Sequence, residues 1–324
     1  MRPERLLVTG ATGHLGGEVL AQAREAGISA LGLGRNAARI DQLQRRGFAV
    51  MGHDLTDPLP GAARDVDAVI HCAALSAPFG PARAFLAANV TATQSLLDAF
   101  PRLDRFVLVS SPTVYFAFAD DVMRREDGPL PPPVNAYAAT KRQAERLVLS
   151  RPELRPIILR PRGIYGAGDS ALLPRLLRAA RRGPLPLLRK GVAEIDLTHV
   201  ADAARACLAA LVAPASAVGG IYNISGGEVL PVTEIVAQAC ARAAVPLSWR
   251  PLPLRPALAL AGAAEFLARL GGGAEPPVTR YGLGLFAYRQ SLDLSAAAAR
   301  LDWRPEIPFS RGLLTALPPP GDAP

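Results

Sequence analysis

Residues 6–17 read Leu6-Leu7-Val8-Thr9-Gly10-Ala11-Thr12-Gly13-His14-Leu15-Gly16-Gly17. A short apolar run with β character meets a glycine-rich turn, and a helical pattern, Glu18 to Glu25, follows at once. The order is strand, turn, helix. Gly10 permits the tight turn, Gly13 lets the backbone approach a pyrophosphate, and Gly16 allows the helix to pack close on the strand. With Thr12 in the turn, the amides of His14 and Leu15 lie at the positive end of the helix, where an anion is favoured. A glycine loop alone is a weak signal, but one placed between a first strand and a first helix predicts dinucleotide binding.

Strands alternate with helices up to about Gly166, which predicts an α/β, doubly wound parallel sheet with helices on both faces. Ala171 to Arg182 then reads as a basic helix of a smaller lobe. Asp196 to Val212 and Gly220-Ile221-Tyr222-Asn223-Ile224 read as a return to the sheet through another helix and strand. The expected division is discontinuous. Residues 1–166 and about 196–226 bind the dinucleotide, and about 167–195 and 227–318 form a substrate lobe. Residues 319–324, within the Pro-rich end Pro318 to Pro324, fray. A chain of 324 residues can bury a core of that size.

Composition narrows the function. Three cysteines, Cys72, Cys207 and Cys240, are odd in number and share no ligand-like spacing, which fits a reducing cytoplasm better than a disulfide framework. Four scattered histidines argue against a metal site. The net charge is +8, yet the arginines are spread along the chain rather than gathered in a tail or stripe, which argues against nucleic acid. The first strand begins within a few residues of Met1, leaving no room for a signal peptide. Pro251 to Leu270 is Ala- and Leu-rich but interrupted by prolines and Arg255, too broken for a bilayer span. It fits a cover over an apolar substrate tail, a buried lobe helix, an interfacial helix or a docking surface for a pathway partner.

The second chemical signal is Tyr137-Ala138-Ala139-Thr140-Lys141. Lys141 is one of two lysines, with Lys190, among 36 Lys and Arg residues, so the position asks for an amine. Tyr and Lys four apart share a helix face, where an ammonium can stabilise a phenolate whose unperturbed pKa is about 10. Lys is a compact point charge that can also hold the hydroxyls of a sugar, which planar Arg does less well. The same short pattern also fits an ordinary surface pair.

Together these features resemble the extended short-chain dehydrogenase/reductase family, within the NAD-dependent epimerase/dehydratase superfamily. The resemblance runs through His53-Asp54-Leu55-Thr56-Asp57, His71-Cys72-Ala73-Ala74, Asn89-Val90, Ser110-Ser111-Pro112-Thr113-Val114-Tyr115 and Leu159-Arg160-Pro161-Arg162-Gly163-Ile164-Tyr165-Gly166. It implies a Rossmann-type sheet with a mostly helical C-terminal substrate lobe, and a homodimer. It also implies Ser111, Tyr137 and Lys141 as the catalytic set: Ser111 bonds the substrate oxygen, Tyr137 exchanges the proton, and Lys141 lowers the tyrosine pKa and holds the nicotinamide ribose. Thr113 is the alternative hydroxyl. Around the cofactor the resemblance gathers Gly10, Thr12, Gly13, His14, Leu15, Gly16, Arg35, Asp54, Leu55, Ala73 and Ala74. Tyr137, Lys141, Pro161, Gly163 and Ile164 complete that set.

The second strand ends Leu33-Gly34-Arg35, where an NAD site usually has an acidic residue for the ribose. A cation without a carboxylate favours the 2′-phosphate of NADP; NAD remains open, with Arg35 stacked on adenine or solvated. Nucleotide-sugar relatives commonly carry Asn before the Tyr-Gly pair that follows the sixth strand, and this chain has Gly163. The late segments instead resemble the 3β-hydroxysteroid dehydrogenase-like branch, nearest to bacterial 2-alkyl-3-oxoalkanoate reductases. Arg162 and Arg175 are candidates to receive a substrate carboxylate, or are structural. The expected activity is NADP-linked hydride transfer between a secondary alcohol and a ketone of a hydrophobic substrate. The alternatives are a nucleotide-sugar epimerase or dehydratase, a 3β-hydroxysteroid-type dehydrogenase, and a non-catalytic sensor of NADP.

Overall fold

The computed structural model describes residues 3–271 and 274–317, so the expected fray at 318–324 lies outside the described residues. Seven strands, β1 (Arg5–Thr9), β2 (Ser29–Gly34), β3 (Ala49–Gly52), β4 (Ala68–His71), β5 (Arg105–Val109), β6 (Pro156–Pro161) and β7 (Ile221–Ile224), form one parallel sheet. Their order is β7-β6-β5-β4-β1-β2-β3. This is the Rossmann-type arrangement expected.

The strands are apolar on both sides because both sides are covered. Alternation sends Leu6, Val8, Ile70, Val107 and Leu159 to one face, beneath helices His14–Glu25 and Val200–Val212. Leu7, Val69, Phe106, Leu108 and Ile158 go to the other, against Leu96 and Leu97 of helix Ala92–Asp98 and Ala144 and Val148 of helix Ala136–Leu149. The strand order reverses direction between β1 and β4. The crevice beyond their carboxyl ends is where an open sheet of this kind takes a ligand.

A second sheet, Leu230–Pro231, Glu194–Ile195, Gln290–Leu292 and Asp121–Arg124 in that order, builds the smaller lobe. Helices Leu172–Arg182, Val232–Arg242 and Phe309–Ala316 pack beside it through Leu173, Leu177, Val236, Phe309 and Leu313. The expected division needs two corrections. Asp121–Arg124, expected in the dinucleotide unit, pairs in parallel with Gln290–Leu292 of the lobe. Ala297, Leu301 and Trp303, expected in the lobe, belong to the core of the large sheet. Their helix, Ser295–Leu301, carries an apolar side that needs cover, and the Trp303 indole donates to the Asp202 carbonyl at 3.2 Å.

Candidate active site

The glycine turn is shaped by what it excludes. Gly10 has φ +68°, and a Cβ there would lie 2.7 Å from the Ala73 amide nitrogen just beyond β4. A Cβ on Gly16 would collide with the Gly10 carbonyl oxygen, so the first turn of the helix locks directly onto the loop. At Gly13 the same addition meets only that oxygen, at 3.1 Å, and the outer side is open. Gly13 is the N-cap and supplies no side-chain cap, which leaves the first helical amides for a ligand. The His14 Nε2 is buried without a partner, and burial pushes the pKa of the ring down, with Asp169 and the Ala167 backbone acting the other way. Leu15 is buried behind. Open amides, an absent Cβ and an orphaned ring nitrogen fit a dinucleotide, whose phosphates and sugars would supply the missing partners.

Gly34 lies against Thr12, whose side chain occupies the space a Cβ would need. The missing acidic residue at the end of β2 thus has a packing reason. Arg35, next along, is exposed and lies 3.4 Å from Asp54. The other Asp54 oxygen accepts from the Thr56 amide at 3.0 Å and the Thr56 hydroxyl at 2.8 Å. Those bonds, and then Arg35, hold its carboxyl below the usual range. Leu55 is buried, and the Ala73 amide donates to Thr9 at 3.3 Å, which fixes Ala73 and Ala74 at the mouth of the turn.

Helix Ala136–Leu149 starts where the Asn135 side chain accepts the Ala138 amide at 2.8 Å, so Tyr137 sits in its first turn and Lys141 one turn on. Lys141 is only 3% exposed and donates to the Val109 carbonyl at the end of β5, at 2.7 Å. Burial draws its pKa down to about 8, with Glu145 acting the other way. The Tyr137 phenol is pushed up by burial, opposed by hydrogen bonding with Ser76 and Ser111. In the protein alone the Lys141 amine is bonded to the Val109 carbonyl, and burial is the largest influence on the phenol.

Ser111 caps the turn Pro112–Tyr115, accepting the Thr113 amide at 3.2 Å. Its hydroxyl lies 2.9 Å from Thr113 Oγ1, which lies 3.2 Å from the Tyr281 hydroxyl. The structure therefore brings Ser111, Thr113 and Tyr137 together and adds two groups that sequence reasoning missed, Ser76 and Tyr281. Asn89 holds Ser76 in place indirectly. From a π-turn, Ala87–Thr91, it accepts the Leu75 amide at 2.7 Å and donates to Thr140 of the Tyr137 helix at 3.0 Å.

His71 is the last residue of β4 and is buried between Thr9 (2.7 Å) and Thr93 (3.0 Å). Burial, and then the Lys141 charge, lower its pKa to about 3. Its unfolded pKa is about 6.5, so between those values the unfolded chain binds one proton more than the folded one, and stability falls on acidification. We expect the site to remove about 2 kcal/mol between pH 7 and pH 5. Urea unfolding of the protein and of His71→Asn at both pH values checks this; the variant should lose less by that amount.

Pro161 closes β6, and Ile164 pairs with Thr198, while Gly163 has φ +39° and Leu197 fills the place of its missing side chain. Arg162, a candidate for a substrate carboxylate, is buried 2.8 Å from Asp196, an ion pair whose alignment falls short of a hydrogen bond, and it donates to Gln290 at 3.1 Å. Asp196 in turn accepts from Ser225 at 2.6 Å and the Leu292 amide at 2.9 Å, so Arg162 pins the lobe strand to the sheet. Arg175 is exposed on helix Leu172–Arg182 and its carboxylate partner is Glu275.

Residues 6–225 match the NAD dependent epimerase/dehydratase family. The chain belongs to that family. A 2-alkyl-3-oxoalkanoate reductase of Stenotrophomonas maltophilia is 32% identical over 329 residues, covering 95% of this chain and 97% of the relative. A 3beta-hydroxysteroid-dehydrogenase/decarboxylase of Arabidopsis thaliana is 28% identical over 265 residues, 76% of this chain and 60% of the relative. The UDP-glucuronic acid 4-epimerase of Bacillus cereus, solved with NAD, shares the fold with a TM-score of 0.75 at 21% identity, covering 97% of both chains. Membership of the epimerase/dehydratase family makes this chain an oxidoreductase with a nicotinamide dinucleotide cofactor.

In this member of the epimerase/dehydratase family the two halves of the candidate set are tied by a buried ion pair that sequence reasoning also missed. Arg160 of β6 forks onto Glu145 at 2.8 and 2.6 Å and reaches the Tyr115 hydroxyl at 2.5 Å. Ser110, beside Ser111, donates to the same Glu145 at 2.5 Å. Glu145 lies one turn beyond Lys141, a spacing visible in the sequence.

Proposed function

We propose that the enzyme reduces the 3-keto group of a 2-alkyl-3-oxo acid to the 3-hydroxy acid, with NADPH as the donor. Bound NADPH supplies the hydride, which goes to the carbonyl carbon. Tyr137 gives its proton to the carbonyl oxygen, and Ser111 donates a hydrogen bond to the same atom. A phenol that burial keeps protonated suits this direction. Lys141 holds the ribose hydroxyls and, as a neighbouring cation, favours the phenolate once the proton has left.

The observation that carries the apolar substrate is the wall beside Thr113. Phe116 has Phe118, Tyr281 and Tyr288 around it at centroid distances of 5.0, 5.2 and 6.3 Å, all edge-on, and Tyr281 reaches Thr113. Leu197 beside Gly163 supports the same reading, since it stands where a nucleotide-sugar relative would offer an amide. The reductase relative from Stenotrophomonas supports the substrate class. Arg35, with no carboxylate at Gly34, supports the 2′-phosphate.

The test follows nicotinamide absorbance while the enzyme oxidises a racemic long-chain 2-alkyl-3-hydroxy acid with NADP or NAD. We expect faster reduction of NADP. Arg35→Ala should lower kcat/KM for NADP by about 10- to 100-fold, the worth of one charged hydrogen bond, and leave NAD within about twofold. An enzyme that binds NADP but turns over no such acid overturns the substrate; equal losses with both cofactors overturn the role of Arg35.

A further inference from the structure

Helix Leu254–Leu270 buries one side, Leu254, Ala257, Leu258 and Ala261, against Leu283, Phe286 and Ala287. Its other side presents Leu260, Phe266, Leu267 and Leu270 at helical spacing, and these are 73%, 60%, 65% and 71% exposed. The only carboxylate on the helix, Glu265, is occupied by the Arg280 amide at 2.7 Å.

The fold links a basic helix to the start of this one. Leu185–Leu187, just after helix Leu172–Arg182, pairs with Trp249–Pro251, just before helix Leu254–Leu270. Near its start, the same basic helix reaches Glu275 through Arg175. Arginines that the sequence keeps apart are thereby gathered on one lobe. Residues 172–182 and 249–270 hold seven arginines and one carboxylate, a net +6 in a chain of net +8. Arg178, Arg181, Arg182, Arg250 and Arg255 are exposed and have no ion-pair partner among the described residues.

We propose that the Leu260, Phe266, Leu267 and Leu270 stripe, with these arginines, seats on an anionic lipid bilayer as a helix lying in the membrane plane. An apolar row one helix wide, on a lobe that also carries unpaired cations, complements acyl chains beneath a negative headgroup layer. No helix of the described residues is long and apolar enough to cross a membrane. A second copy of the chain fits this surface poorly, since a two-fold contact sets its arginines against each other. Arg269 of the same helix lies over the Phe79 ring at 5.7 Å, and the next helix carries Tyr281. The inference goes beyond the proposed reaction and does not depend on it.

The experiment is co-sedimentation of the full chain with vesicles of phosphatidylcholine alone or mixed with phosphatidylglycerol. Binding is expected on the mixed vesicles, weakened by salt, and about tenfold lower in Phe266→Ser/Leu267→Ser and in Arg178→Glu/Arg181→Glu. Dinucleotide affinity of each variant reports that it is folded. The proposal is overturned by absent binding to mixed vesicles or by binding equal in protein and variants. It is also overturned by a dimer in sedimentation equilibrium that Phe266→Ser/Leu267→Ser dissolves, which assigns the face to a second copy. A failure of the keto-acid assay leaves the vesicle result untouched.

Discussion

Tyr137→Phe lowers the rate of hydride transfer by about 10²- to 10⁴-fold, the usual worth of a positioned proton donor, and leaves dinucleotide affinity within about threefold. The substitution keeps the ring in its first-turn position and removes only the hydroxyl that Ser76 and Ser111 contact. Helix start and Lys141 are unaffected, because the cap is Asn135 and the lysine bond goes to Val109. Single-turnover absorbance at saturating cofactor, beside a fluorescence titration of the cofactor, separates the two effects. A variant that retains the full rate would move the acid to the Ser111, Thr113 and Tyr281 hydroxyl chain, which lies within 3.2 Å from member to member.

Arg160→Met is expected to cost about 3–5 kcal/mol of stability, the largest effect of any single change away from the reacting groups. Arg160 and Glu145 are both buried, and removing the guanidinium leaves a buried carboxylate bonded by Ser110, with the Lys141 charge one turn away. The Tyr115 hydroxyl loses a partner too, although it still donates to Asn223 at 2.9 Å. A second change, Glu145→Met, removes the orphaned charge, so the double variant should recover more than half of the loss. Urea midpoints of the three proteins decide this, and a double variant no more stable than Arg160→Met would show that the pair does more than neutralise itself.

The parts legible in the sequence were those whose chemistry is written over a few adjacent residues. The glycine turn, the Tyr137 and Lys141 pair and the Ser111 to Tyr115 segment carry their spacing with them, and a helix or tight turn converts that spacing directly into geometry. Tyr281 and Ser76 carry no such mark. They reach the site only because the lobe folds over Thr113 and because Asn89 holds the Leu75 backbone. Charge was the least readable property. Arg162 and Arg175 look alike in the sequence, yet one is buried on Asp196 and the other lies exposed against Glu275, 100 residues away. Arginines scattered along the chain become one basic lobe when strands Leu185–Leu187 and Trp249–Pro251 pair.

The strand Asp121–Arg124 lies between Ser111 and Tyr137 in the chain, and it is stitched to the lobe. Its backbone pairs with Gln290–Leu292, the Met123 amide donates to Ser291, and the Arg124 carbonyl accepts from Asp293 and Asn223. In mechanical terms that strand is a tie, because Asn223 belongs to β7: a load on the lobe or on the large sheet reaches the chain between Ser111 and Tyr137 through it.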